Sequence, residues 1–312
     1  MNTRQLHYVI TVAELRSFSE AATKLMVSQP SLSQYISKLE DEIGMQIFER
    51  TVPLKITYAG EIYLKSAKKI LSEEAELLER LQDISGSLSG KIKIGTGYLN
   101  AISIVPAIVG DYNANYPNVQ VEIYEDTEPK LKKLLDEGDI DLVIATSQFD
   151  STAYEKVLLG EEPYLMAVPK NFGALGKESQ KVEDVNADFP SKEAVTAIDL
   201  SKLENIPLVR LQPNTYMREL VDSLYDSNYI QPKSTIECTT AMGAYGMAKK
   251  GVGATLIPYS LYKTDYCYNL NYYSIKEMKR KRKVSLIYCK NKYLNSVTKE
   301  FINTALGLYT EN

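Results

Sequence analysis

Between Val27 and Gly44 the chain reads VSQPSLSQYISKLEDEIG. The chemistry of this stretch is that of neutral hydroxyls and amides: Ser28, Gln29, Ser31, Ser33, Gln34 and Ser37, with Pro30 among them and Lys38 just beyond. Such groups donate and accept hydrogen bonds selectively, which is what reading base edges in a DNA major groove requires. Charged side chains would bind phosphate anywhere, and longer ones would hold a helix out of the groove. A helix starting at Ser28 adds free N–H groups and a positive dipole end, suited to a phosphate near Ser28 and Ser31. The alternative is a plain solvated helix face.

The surrounding residues say how this polar face is held. Leu32, Ile36, Leu39 and Ile43 fall at i, i+4, i+7 and i+11, so they form the buried face of a helix. Ser33, Gln34 and Ser37 point the other way. Ser28 is the expected N-cap, and Pro30 fits the first turn, where its missing N–H costs nothing. Upstream, Leu6, Val9, Ile10 and Ala13 give one apolar face, so residues 4–15 read as a helix. Ser17 followed by Glu20 has capping-box spacing and starts a second helix, in which Ala21 and Ala22 allow close approach by a neighbour. Two helices joined by a very short turn form a helix-turn-helix pattern. After Gly44, two short apolar stretches flank a turn at Val52–Pro53, which reads as a β-hairpin with Arg50 and Lys55 at its tip, able to clamp a DNA backbone.

Bulk properties exclude several functions. The 312 residues suggest two or three domains, and 44% hydrophobic with 24% charged content is ordinary for a globular protein. No apolar run approaches the ~18–20 residues of a membrane helix, and no secretory segment opens the sequence, so a cytoplasmic protein away from membranes is expected. Cys238, Cys267 and Cys289 lack CxxC spacing and suit buried thiols in a reducing compartment. With His7 the single histidine, a His-based triad and a multi-His metal site are ruled out. No catalytic constellation is marked, and no enzyme, metal or cofactor is expected. The net charge is −4, and residues 1–58 carry six basic against six acidic side chains, so charge gives no signal for nucleic acid.

The stretch FSEAATKLMVSQPSLSQYISKLEDEIGMQIFERT…KITYAG closely resembles the N-terminal DNA-binding domain of LysR-type transcriptional regulators. The frame runs from Ala21 and Ala22 through Ser28, Gln29 and Pro30 to Gly44, Phe48 and Arg50. The resemblance implies that the segment around Ser28–Lys38 enters the major groove and that the hairpin touches the flanking groove or backbone. Gln34 and Ser37 stand where the family often has Arg or Lys, and Val52, Pro53 and Leu54 stand where basic residues are common. Both departures weaken nonspecific phosphate attraction and imply a shallow salt dependence.

From Gly60 to Gly90, Leu64, Leu71 and Leu78 recur every seven residues, flanked by Ala67, Ile70, Leu77, Leu81 and Ile84. This reads as a dimerising helix, the alternative being a helix packed on its own chain. Gly86, Ser87, Ser89 and Gly90 break the pattern. A dimer would present two reading helices to half-sites about one turn apart, so the partner DNA is expected to be an interrupted palindrome. The family implies dimers or tetramers.

From Lys91 onward, strand and helix patterns alternate, implying a parallel sheet. The GxG at Gly95–Gly97 lacks a third glycine and an acidic residue at the right distance, and is not read as a nucleotide motif. In open parallel sheets ligands bind at the carboxyl ends of strands. The residues there are Tyr98 and Asn100, Thr127, Thr146, and Asn214 with Thr215. All are neutral donors, several at helix starts where a carboxylate or phosphate is welcome. They are the candidate effector-binding residues, although each taken alone reads as an N-cap. The basic run KEMKRKRK at 276–283 reads as a solvated sheet edge, and the tyrosines of 259–273 as packing.

VEIYEDTEPKLKKLLDEGDIDLVIATS and GVGATLIPYSL resemble, more weakly, the effector domain of the same family. The fold class expected is α/β: an N-terminal winged helix-turn-helix, a linker helix, and a two-subdomain α/β effector-binding domain of periplasmic-binding-protein type. The implied division is 1–58 for DNA binding, 59–87 for the linker, 91–162 plus 268–312 for one effector subdomain and 163–267 for the other. The chain would cross between them near Glu161–Leu165 and again near Thr264–Leu270. Residues 173–205 are longer than the family's usual connector. The resulting function is a DNA-binding transcriptional regulator controlled by a small effector, expected to be a small anionic metabolite. The competing function is a solute-binding or small-molecule-transforming protein using the same cleft.

Overall fold

In the computed structural model, the residues described are 2–84, 88–146, 149, 152–176, 195–213 and 215–310. The chain opens with α1 (Thr3–Leu15), α2 (Phe18–Lys24) and α3 (Gln29–Ile43). Each start is held by a side chain: Asn2 and Gln5 form a reciprocal capping box, Ser17 Oγ accepts from Glu20 N, and Ser28 Oγ accepts from Ser31 N. Val9, Val12, Ala21, Ala22, Leu32, Ile36, Leu39 and Phe48 form the core between the helices. Ile43, expected in the buried face, is 42% exposed, because the last residue of α3 runs beyond that core. Glu40 is buried there instead; its carboxylate accepts from Ile47 N at 2.8 Å and Phe48 N at 3.1 Å and ties α3 to the next strand. Strands β1 (Phe48–Glu49) and β2 (Lys55–Ile56) pair antiparallel as the wing.

Helix α4 (Tyr58–Ile84) divides the expected leucine stripe in two. Ala67 is buried and Leu64 packs against the N-terminal core, so the first half lies on its own chain. Leu77, Leu78, Leu81 and Ile84 are exposed in the second half. Polar contacts hold that half to the rest of the protein: Glu79 accepts from Asn295 Nδ2 at 2.9 Å, and Asp83 accepts from Tyr293 Oη at 2.8 Å and Ser296 N at 3.0 Å. Gly86 and Ser87, expected to break this helix, lie outside the described residues.

The remainder forms two subdomains. In the first, β3 (Gly90–Thr96), β4 (Val119–Glu125), β5 (Leu142–Ala145), β6 (Tyr154–Glu162) and β13 (Arg282–Cys289) lie in the order β4-β3-β5-β13-β6. Strands β3, β4 and β5 are parallel, but β13 runs antiparallel to β5 and β6, so the sheet is mixed rather than parallel. Helices α5 (Tyr98–Ser103), α6 (Val105–Asn115), α7 (Glu128–Glu137) and α11 (Ser296–Thr310) belong with it. Gly95 is a packing glycine: a Cβ there would meet Ile140 Cδ1 at 2.6 Å.

The second subdomain holds β7 (Tyr164–Pro169), β8 (Ala197–Ile198), β11 (Thr255–Pro258) and β12 (Leu270–Ile275) in the order β11-β7-β12-β8, with the parallel pair β9 (Leu208–Leu211) and β10 (Thr235–Cys238) beside them. Helices α8 (Tyr216–Ser227), α9 (Ala241–Lys249) and α10 (Tyr259–Thr264) complete it. The chain passes from the first sheet to the second at Pro163, between β6 and β7. The return lies between Ile275 and Arg282, later than the expected 264–270, because Leu270–Tyr273 pair with Pro169–Met166 as a strand of the second sheet. The tyrosine run is packing except at Tyr268, which is exposed: Tyr272 is fully buried, and its hydroxyl shares a hydrogen bond of 2.7 Å with that of the buried Tyr245 on α9. Within the long connector, 177–194 lie outside the described residues.

Candidate nucleic-acid interface and ligand cleft

Helix α3 turns Gln29, Pro30, Ser31, Gln34 and Lys38 to the exterior and leaves Ser33 and Ser37 half-buried. This follows from the packing, since Leu32, Ile36 and Leu39 use the opposite side. Ser28 and Ser31 are joined, Oγ to Oγ, at 2.7 Å, and Ser28 Oγ also receives Ser31 N. Leu32 N bonds Ser28 O and Pro30 has no N–H, so in the first turn it is the Gln29 N–H that is left for an anion. The helix start is therefore a poorer phosphate site than the residue types implied.

The wing departs from expectation at Arg50. Lys55 is exposed on β2, opposite Glu49. Arg50 instead folds back onto α3. One guanidinium nitrogen bonds Ser37 Oγ and lies 3.5 Å from Glu40 Oε2, another lies 3.4 Å from Ser33 Oγ, and the group stands 5.6 Å from the Phe18 ring centre. It is not at the hairpin tip, because it follows β1 directly, where the strand is still tied to α3 through Glu40.

In the first sheet the connections from β3 and β5 leave in opposite directions, so a ligand crevice is expected at their carboxyl ends. Tyr98, at the start of α5, is exposed, and Thr146, just after β5, is half-buried. Gly97 precedes α5 with no side-chain cap. Thr127 is exposed beyond the edge strand β4, beside Asp126, whose carboxylate already takes Thr127 N at 2.7 Å. In the second subdomain, Thr215 works as a helix cap at the start of α8, accepting from Arg218 N and donating to Gln212 O, both at 3.3 Å. Asn214 lies outside the described residues.

Asn100 is withdrawn from the crevice altogether. It is 3% exposed, donates from Nδ2 to Ile144 O at 3.1 Å and accepts from Arg282 at Oδ1. Arg282 also bonds Glu162, and the Glu162 carboxylate accepts from Ser260 N at 2.5 Å and from Ser260 Oγ at 3.2 Å. Arg282 and Glu162 are register partners where the two crossing segments meet, and both are buried. Asn100 belongs to the first subdomain and Ser260 to the second, and α5 packs against α10. The two subdomains are thus joined by a buried, charged junction. Burial pushes the nearby Tyr164 phenol far above its usual range; Arg282 opposes this, while Tyr216 and Glu162 add to it.

Glu162, Ser260 and Arg282 were not among the residues singled out from the sequence. Arg282 was hidden in the basic run, whose other members are mostly exposed: Lys276 pairs with Asp199 at 3.0 Å and Lys283 with Glu161 at 3.1 Å. A signal for it existed in strand alternation, since Arg282 has the parity of the buried Val284 and Leu286.

Comparison with known proteins bears on both regions. Residues 3–61 match the family described as bacterial regulatory helix-turn-helix protein, lysR family, and residues 85–308, most of the chain, match the LysR substrate binding domain. The chain belongs to the LysR family. Its members are DNA-binding transcriptional regulators with an effector-binding domain, not enzymes. This LysR-family chain is 28% identical to the HTH-type transcriptional regulator AlsR of Bacillus subtilis (strain 168), over 97% of its own length and 95% of AlsR. It is 29% identical to BenM of Acinetobacter baylyi, over 87% and 84%. The crystal structure of CbnR, a LysR family regulator, shares the fold with a TM-score of 0.68 at 20% identity, covering 99% of each chain. No helix among the described residues of this regulator is long and apolar enough to cross a membrane.

Proposed function

We propose that α3 lies in the major groove of an operator and reads it with Gln29, Pro30, Ser33, Gln34, Ser37 and Lys38, while Lys55 of the wing meets a flanking phosphate. The observation that carries this reading is the outward face of Gln29, Gln34 and Lys38, opposite Leu32, Ile36 and Leu39. Ser28 and Ser31 contribute by fixing the helix start. The exposed second half of α4, with Leu77, Leu78, Leu81 and Ile84, supports self-association and hence an interrupted palindrome as the target. The functional division is a DNA-binding unit over 1–58, a linker over 59–87 and two effector subdomains, with the return between them at 276–281. The free cysteines Cys238, Cys267 and Cys289 suit work in a reducing cytoplasm. A gel shift with the DNA upstream of the protein's own gene tests the reading. Wild type is expected to shift it, and loss of that shift is expected in Gln29→Ala and in Gln34→Ala. An unchanged shift in both removes α3 from DNA recognition.

The effector of this regulator is, in the same reading, a small anionic metabolite held between the start of α5 and the start of α8. Tyr98 and Thr146 supply hydroxyl donors, and the uncapped turn at Gly97 supplies N–H groups. The exposed Thr127 and the capping Thr215 lie at the margins. Asn100 is a positioning residue, holding α5 to Ile144 and Arg282. Ligand binding acts on transcription only if it favours one arrangement of the subdomains over another. A thermal-shift screen of small carboxylates against their uncharged amides checks the charge: a carboxylate at about 100 times its Kd stabilises by about 2.7 kcal/mol. Stabilisation by the amides alone contradicts an anionic effector.

A further inference from the structure

We infer that Arg50 is a specificity-determining positioning residue, which sets the polarity of the Ser33 and Ser37 hydroxyls rather than clamping a phosphate. The inference rests on α3 being the DNA-reading helix. A serine hydroxyl by itself can donate to a base edge or accept from one. A guanidinium can only donate. Arg50 places one nitrogen on Ser37 Oγ and another 3.4 Å from Ser33 Oγ, so each oxygen serves as an acceptor toward Arg50. Each hydroxyl hydrogen is then left to point away from Arg50, along the half-exposed side of α3. The adjacent positive charge also makes each O–H a stronger donor.

Arg50 is held in this position from behind. Glu40 lies 3.5 Å from it, and Glu40 is itself fixed, because its other oxygen takes Ile47 N and Phe48 N. The Phe18 ring supports the guanidinium at 5.6 Å. The pairing with Glu40 also offsets the charge that a phosphate clamp would need. Ser33 and Ser37 are one turn apart and share a face, so the two hydroxyls form a donor pair facing two neighbouring steps of the groove. Such a pair takes guanine N7 or O6, adenine N7 or thymine O4, and disfavours an edge that presents the cytosine amino donor.

The test is selection of binding sites from randomised duplexes by the full-length protein, with the salt dependence of affinity measured on the selected site. Wild type is expected to select acceptors at two positions per half-site. Ser33→Ala and Ser37→Ala identify those positions by each losing one of them. Arg50→Leu is expected to lower the preference at both by about five- to tenfold. Its salt slope is expected to move by less than the ~0.9 of one phosphate contact. Arg50→Lys keeps a charge without the fork, and serves if Arg50→Leu does not fold; it is expected to keep the salt slope and lose at least one of the two preferences. Unchanged preferences in either Arg50 variant, or a slope reduced by about 0.9 with preferences intact, overturn the inference. A wild type that selects no sequence overturns the DNA-reading helix as well, which separates the two failures.

Discussion

The outward side of α3 and the strand ends at the crevice are built from similar neutral polar residues, but their amides meet opposite fates. On α3, Gln29 and Gln34 remain exposed because the helix backbone is already satisfied and the core lies on the other side. At the crevice, Asn100 is consumed by Ile144 and Arg282, and Thr215 by its own helix start. At the start of α8 the open backbone takes the short polar side chain of Thr215 first, whereas Thr127 leaves the start of α7 without a side-chain cap. An exposed amide on a finished helix face, such as Gln34, is therefore a better indicator of a partner than a buried amide such as Asn100.

The largest effect expected from breaking this contrast lies at the junction. Glu162→Ala or Arg282→Ala leaves one buried charge unpaired and is expected to cost about 3–5 kcal/mol in denaturant unfolding of the full chain. A double change to Glu162→Leu and Arg282→Met is expected to cost less than either single change. A cost below about 1 kcal/mol for both single variants means that the pair is not buried in solution.

The second contrast is between two amide truncations. Asn100→Ala removes one hydrogen bond from Ile144 O and one from the Arg282 guanidinium, and is expected to destabilise by about 1–3 kcal/mol. Gln34→Ala is expected to leave stability within about 0.5 kcal/mol, while DNA affinity weakens by about 1–3 kcal/mol. Equal effects of the two on unfolding mean that Asn100 is no more engaged in the fold than Gln34.

Much of this was legible in the sequence. The 3.6-residue spacing of Leu32, Ile36 and Leu39, the caps at Ser17 and Ser28, and the strand and helix alternation after Lys91 fixed the elements. The LysR motif joined them into one architecture. What remained hidden depended on contacts far apart in the chain. Arg282 meets Glu162 across 120 positions and Asn100 across 182, and no local pattern carries such pairings. Leu270–Tyr273 lacked alternation because the strand is buried on both faces, with Tyr272 in one core and Tyr273 in another, which displaced the expected return between subdomains. The fate of Arg50 was hidden for a similar reason, since it depends on Glu40, a carboxylate whose burial its charge argues against.

Smaller effects sharpen the same contrast. Thr146→Val is expected to reduce the thermal shift given by a binding carboxylate while sparing operator binding; a full response in this variant moves the ligand elsewhere. With Arg50 occupied internally, the slope of log affinity against log salt for one dimer is expected to be shallower than about −8, fewer than roughly nine phosphates being neutralised. A steeper slope contradicts the sparse backbone contact. The smallest effect concerns Asp83. Burial raises its carboxyl pKa, but hydrogen bonds from Tyr293 and Ser296 outweigh that and hold it below the usual aspartate range. A lowered pKa means that the contact between α4 and α11 is fully present above the ordinary value of about 4 and is lost as pH falls through the lowered one. Near-ultraviolet circular dichroism should register an acid step in wild type that is absent from Asp83→Asn.

The most direct measurement is the ratio of affinities for the protein's own upstream DNA and for an unrelated duplex, at one fixed salt concentration. For Gln34→Ala the ratio is expected to fall about tenfold or more with affinity for the unrelated duplex unchanged. A ratio equal to that of wild type contradicts the account, because the open side of α3 then carries no sequence information.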